Sequence, residues 1–206
     1  MTARFEEAAR CLVEIGRTFA ARGSVPATSG NFSLRLDERR VAITRSGTNK
    51  GALGPADILI ADLEAPPPPG ASAETPLHLA LYRDRPAVNA VIHTHADAAA
   101  VLSLAGDDLV LSGWELLKAF TGVTSHEVRV TIPVLANDQD VFALASRVSA
   151  RLASLPESPA YLLAGHGLYT WGSSLAEVER HAVALEHLLV CERDRRMLAI
   201  LAGRRS

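Results

Sequence analysis

Residues 90–100 read AVIHTHADAAA, with His93 and His95 two positions apart after a run of small and β-branched apolar residues. Side chains alternate faces along a strand, so an extended chain from Val88 to His95 aims both imidazoles at one object. A metal ion is the first chemistry this spacing offers, and it needs further ligands from elsewhere. The candidate is His166 in LAGHGLYTWG, where the flanking Gly165 and Gly167 permit a sharp bend and close approach to another element. Three neutral imidazole nitrogens suit Zn2+ with one position left open, the arrangement of a catalytic site. A lone histidine on an apolar segment is more often structural. The pair on one strand face is what turns the reading toward metal.

Two short polar loops, ATSGNFS (27–33) and TRSGTNKG (44–51), combine glycine with hydroxyl and amide side chains at strand edges. Glycines such as Gly30 and Gly47 let main-chain N–H groups approach an anion, and Lys50 offers charge. The same text is common in ordinary turns, so the loops alone make a weak phosphate signal. Proton transfer beside a metal also needs a carboxylate within reach. Glu74, at the start of a helix, and Glu115, in GWELLKAF, both qualify, and residue type does not choose between them.

The elements that must position these residues follow from periodicity. Residues 3–22 carry Phe5, Ala8, Leu12, Ile15 and Phe19 on one helical face, closed by Gly23. Alternation in NFSLRLD, RRVAITRSG and DILIADL predicts three strands. Pro66 to Pro69 enforce a loop, after which a helix starts near Thr75 as its cap, with Pro76 in the first turn. A strand over NAVIHTH, a short helix from Asp97 and a helical SGWELLKAF come next. VRVTIPVLA reads as one strand, and Asn137 or Asp138 as the cap of an amphipathic helix. AYLLAGHGLYTWG forms two strands about the Gly165–Gly167 bend, and Ser174 with Glu177 is a capping box opening a long C-terminal helix. Trp114, Leu117 and Phe120 are expected in the core or on the wall of an apolar pocket. Strands bracketed by helices without repeated βαβ units predict a three-layer α/β/α domain on a largely antiparallel sheet, spanning 1–206 as one domain.

Composition excludes several function classes. With 48% hydrophobic residues and a net charge of −2, the chain is neither disordered nor a basic nucleic-acid surface. Cys11 and Cys191 make no ligand pair and no disulfide framework, which points to a reducing cytoplasm. The N-terminus lacks a signal-peptide pattern, and no run approaches the ~18 apolar residues of a membrane span.

In order, TSGNFS, TRSG, SAETPLH, HTH and GHG resemble the class II aldolase/adducin head family, over roughly Ala27 to Gly172. The resemblance implies zinc held by His93, His95 and His166. It also implies substrate phosphate bound by Thr28, Asn31, Ser46, Gly47 and Ser72, with Gly30 and Lys50 in the same loops. Ala73 stands where some family aldolases have a second serine. GWELLKAFTGVTSHEVRVTIPVLANDQD is most similar to the methylthioribulose-1-phosphate dehydratase branch of that family. That branch would make Glu115 the acid/base, whereas Glu74 matches the base of family aldolases. The expectation is therefore a zinc-dependent dehydratase of a methylthio-ketopentose 1-phosphate, cytoplasmic and homotetrameric by resemblance. The alternatives are a sugar-phosphate aldolase or 4-epimerase of the same fold and a non-catalytic adducin-like module. His78, His126, His181 and His187 carry no assigned role and are expected to be structural.

Overall fold

A computed structural model describes residues 3–203. Its central sheet has seven strands: β1 (Asn31–Arg35), β2 (Arg40–Thr44), β3 (Ile58–Asp62), β4 (Ala90–Thr94), β7 (Val134–Leu135), β8 (Ala160–Leu163) and β9 (Gly167–Gly172). Across the sheet they lie in the order β3-β2-β1-β4-β9-β8-β7. All neighbours pair antiparallel except β7 with β8, and β5 (Leu109–Leu111) with β6 (Val130–Ile132) makes a separate ribbon. Helices α2 (Thr75–Asp84) and α4 (Val141–Ala153) cover one face, packing on Val41, Ile43, Val91, Tyr161 and Tyr169. Helix α1 (Ala3–Ala21) covers the other through Phe5, Leu12 and Phe19 on Phe32, Ala42 and Ile92. Helices α3 (Asp97–Ser103) and α5 (Leu175–Gly203) join a third cluster with Leu162 and Leu168. Adjacent residues of β2 and β4 divide between the two faces, as the two-residue strand period requires. The three-layer, mostly antiparallel expectation holds.

Local chemistry moves several boundaries. VRVTIPVLA is two strands, because Pro133 has no N–H for a ladder; β6 pairs with β5 while β7 joins the main sheet. The cap of α4 is Asp140, whose side chain accepts from the Ala143 N–H at 3.0 Å, rather than Asn137 or Asp138. Thr75 lies inside α2, and the N-cap position belongs to Glu74, whose carboxylate makes no capping bond. Glu115–Ala119 is a 3-10 turn, with Leu117 and Phe120 buried in the core beside a partly buried Trp114.

Only half of the capping box on α5 forms as expected. Ser174 Oγ accepts from the Glu177 N–H at 3.2 Å, but the Glu177 carboxylate takes the Ser173 N–H, at 2.6 Å, together with the Thr121 hydroxyl. The hydrogen bonds from Ser173 first, then Thr121, lower the Glu177 carboxyl from 4.5 to about 2. The unfolded chain therefore binds the extra proton in this window, and stability falls as pH is lowered. Glu177→Ala is expected to cost about 1 kcal/mol, the usual scale of a lost cap. In acid titrations followed by thermal melting, Glu177→Gln should flatten the loss of stability between pH 4.5 and about 2. An unchanged acid limb would refute this cap.

Candidate metal centre

Sheet register assembles the centre. Asn31 on β1 and Tyr169 on β9 flank His93 on β4, and the β8–β9 turn carries His166. His95, just past β4, is held by its N–H to the Ser24 carbonyl at 2.8 Å. The turn reaches β4 because residue 167 has no side chain: a Cβ there would lie 2.1 Å from the Thr94 carbonyl oxygen. Gly167→Ala should therefore push the His166 turn outward, costing about 1–3 kcal/mol of overpacking and weakening metal retention on dialysis. Wild-type metal retention in that variant would contradict the close approach. Gly30 is similarly constrained, with φ +73° and a Cβ position 2.8 Å from the His93 carbonyl oxygen.

The Nε2 atoms of His93 and His95 are 2.9 Å apart, and those of His95 and His166 are 3.1 Å apart. Glu74 closes the group, with Oε1 2.8 Å from His166 Nε2 and Oε2 3.5 Å from His93 Nε2. Among the described residues, these four ligand atoms all lie within 4.8 Å of one another. Two nitrogens of a tetrahedral zinc shell stand ~3.3 Å apart when Zn–N is about 2.0–2.1 Å, close to the observed spacing. His93 donates its Nδ1–H to the Leu168 carbonyl at 3.0 Å and stacks on Tyr169, which turns its Nε2 lone pair into the cluster. Burial holds the His93 imidazole well below its ordinary value, and burial with the neighbouring His166 lowers His95 to about 4. Both are therefore neutral at neutral pH, the form that ligates. Burial alone would raise the Glu74 carboxyl, but the imidazoles of His93 and His166 and the Asn31 amide outweigh it, so Glu74 is ionised. Three imidazoles and one ionised carboxylate fit a divalent cation.

The predicted anion loops converge beside this group. Asn31 Nδ2 donates to Glu74 Oε2 at 2.6 Å and to Ser72 Oγ at 3.3 Å. The Ser46 N–H bonds the Gly70 carbonyl at 2.9 Å, tying the loop of Ser46 and Gly47 to that of Ser72. Thr28, Ser46 and Gly47 are exposed, and Ser72 is half-buried. Lys50 departs from expectation. It is buried, and its ammonium donates to the Thr28 and Thr48 carbonyls at 2.9 and 2.8 Å, so it ties two loops together instead of facing an anion. The buried Ser29 hydroxyl has no hydrogen-bond partner among the described residues and remains available in the same loop.

Glu115 is not brought to the cluster. Its side chain is 72% exposed and pairs with Lys118 Nζ at 2.5 Å and His126 Nδ1 at 3.6 Å. His187 is exposed, and His181 packs on Phe120 and bonds the Trp171 carbonyl.

Residues 10–192 match the Class II Aldolase and Adducin N-terminal domain family. The chain belongs to this family. Relatives named methylthioribulose-1-phosphate dehydratase include one from Bradyrhizobium sp. (strain BTAi1), 52% identical over 86% of each chain. Another, from Parvibaculum lavamentivorans, is 48% identical over 91% of this chain and 94% of its own. Among solved structures, L-fuculose-1-phosphate aldolase from Thermus thermophilus is 31% identical, with a TM-score of 0.76 over 96% of this chain and 97% of that one. Family membership gives the convergence of the HTH strand and the GHG turn its context: both stretches lie inside the matched region.

Proposed function

We propose that this chain, as one domain over residues 1–206, is a zinc-dependent hydro-lyase. It would convert 5-methylthioribulose 1-phosphate to 2,3-diketo-5-methylthiopentyl 1-phosphate, a step of methionine salvage, in the cytoplasm as a homotetramer. The observation carrying this reading is an assembled His93–His95–His166–Glu74 group in a chain about half identical to dehydratases along most of its length. Among the described residues no helix is long and apolar enough to cross a membrane.

His93, His95 and His166 would hold a divalent cation, which when bound would supply Lewis acidity for removing a proton beside a carbonyl. This chain does the rest. Thr28, Gly30, Asn31, Ser46, Gly47 and Ser72 offer N–H, amide and hydroxyl donors to the phosphate, and Lys50 holds two of their loops in register. Glu74, ionised and within 2.8 Å of His166, would take the C3 proton. The C4 hydroxyl leaves as water once a proton reaches it, and the resulting enol tautomerises to the 2,3-diketone. Glu115 is assigned the second proton transfer by its place in the dehydratase-like segment. In this chain Glu115 stands at the surface beside Lys118, apart from the cluster.

A second reading is favoured by the 31% identity to a sugar-phosphate aldolase and by Glu74 at the cluster itself. Mass spectrometry of 5-methylthioribulose 1-phosphate incubated with zinc-loaded protein separates the two. Loss of one water is expected. Dihydroxyacetone phosphate would establish the aldolase instead, an untouched substrate would withdraw the substrate assignment, and purified protein that holds no zinc would favour an adducin-like module.

A further inference from the structure

His78 is fully buried, lies outside the metal group, and is used by none of the steps above. It nevertheless sits in the middle of an unbroken chain of hydrogen bonds that ends on the Glu74 carboxylate. Its Nε2 is 2.5 Å from Asn31 Oδ1, and its Nδ1 is 2.7 Å from Ser33 Oγ. Ser33 Oγ is in turn 2.9 Å from the Tyr82 hydroxyl, and Asn31 Nδ2 is 2.6 Å from Glu74 Oε2. Ser33, Asn31 and Tyr82 are each at most 3% exposed, so the chain is shielded from bulk solvent.

The direction of every bond follows from one end. An ionised carboxylate only accepts, so Asn31 must present its NH2 to Glu74 and its carbonyl oxygen to His78. A carbonyl oxygen also only accepts, so His78 must carry its proton on Nε2. The lone pair on Nδ1 then accepts from the Ser33 hydroxyl, whose oxygen accepts from Tyr82. Burial holds the His78 imidazole neutral, lowered to about 4 against the pull of Glu74, which leaves one proton and one lone pair as the chain requires.

We propose that His78 is a positioning residue: backed by Ser33 and Tyr82, it fixes the Asn31 amide so that the NH2, and not the carbonyl, faces Glu74. Without it, the amide keeps its NH2 contacts to Glu74 and Ser72 but loses the one contact that holds its carbonyl end, which opens the half-turn that sets a carbonyl oxygen against the carboxylate. The spacing supports a built device. Glu74, His78 and Tyr82 recur every four residues along one side of α2, while Asn31 and Ser33 are two apart on β1. One helix stripe and one strand face thus meet in alternating contacts. The proposal rests on reading Glu74 as the reactive carboxylate.

The first test needs neither turnover nor a variant. Nitrogen-15 NMR of the zinc-loaded protein should show a His78 ring protonated at Nε2, with Nδ1 as a bare acceptor. The opposite tautomer or a charged ring would overturn the proposal whatever the enzyme's substrate. The second test compares His78→Gln, whose amide can still donate to Asn31, with His78→Leu, which cannot. His78→Leu should lower kcat by about 10–100-fold, the scale of a lost supporting contact, with bound zinc near wild type. His78→Gln should recover most of that rate. If both variants fold and lose activity equally, or if neither loses any, the amide-fixing role is wrong. If the leucine variant fails to fold, the tautomer and the glutamine variant decide. If wild-type protein turns over none of the tested substrate, the proposed function fails, and the tautomer alone decides the role of His78.

Discussion

In His93→Ala, bound divalent metal should fall from one equivalent per chain to near zero, and activity should fall to background. His93 is the member of the cluster with no exposed surface, and sheet register confines it between Asn31 and Tyr169. Its Nδ1–H is committed to the Leu168 carbonyl and its ring to Tyr169, so Nε2 is aimed before any ion arrives. Removing it leaves His95 and His166 as the only imidazoles of the group. Elemental analysis of dialysed protein, alongside a melting curve to show that the fold survives, checks this. Stoichiometric metal in a folded His93→Ala variant would break the ligand assignment, whatever the activity.

The second large effect concerns the carboxylates. Glu74→Gln should lower turnover by a factor on the order of 10²–10⁴, the usual contribution of one acid or base, while the three imidazoles keep the metal. The amide is nearly the same shape but cannot take a proton, so the loss belongs in kcat. Glu115→Gln provides the contrast. The dehydratase-like segment assigns it a loss of the same order, although in the chain it stands at the surface with Lys118 and His126. A near-normal rate for Glu115→Gln would leave Glu74 as the sole proton carrier. A near-normal rate for Glu74→Gln would instead reduce Glu74 to a neighbour of the metal.

Much of the site is legible in one dimension because its parts follow short periods. His93 and His95 share a face because a strand repeats every two residues. Gly165 and Gly167 mark a bend, and the order of TSGNFS, TRSG, HTH and GHG is enough to suggest the family. The helices and most strands follow from apolar spacing, although boundaries slip where a single group intervenes. Pro133 splits a strand because it lacks a donor, and Asp140 takes a cap that Asn137 or Asp138 was expected to supply.

The partner that each group finds across the fold is not legible in that way. Lys50 reads as charge for an anion, yet the close approach of two loops makes it a buried tie between carbonyls. His78 reads as structural, and the spacing of Glu74 and His78 on one helix face was the signal that could have singled it out. Local sequence determined which residues share a face, because backbone periods are set by steric and hydrogen-bond rules within a few residues. Only the tertiary structure decided that β4, the GHG turn and the start of α2 meet at one point. That meeting depends on long-range register and on a missing Cβ at Gly167, where Thr94 leaves no room for one.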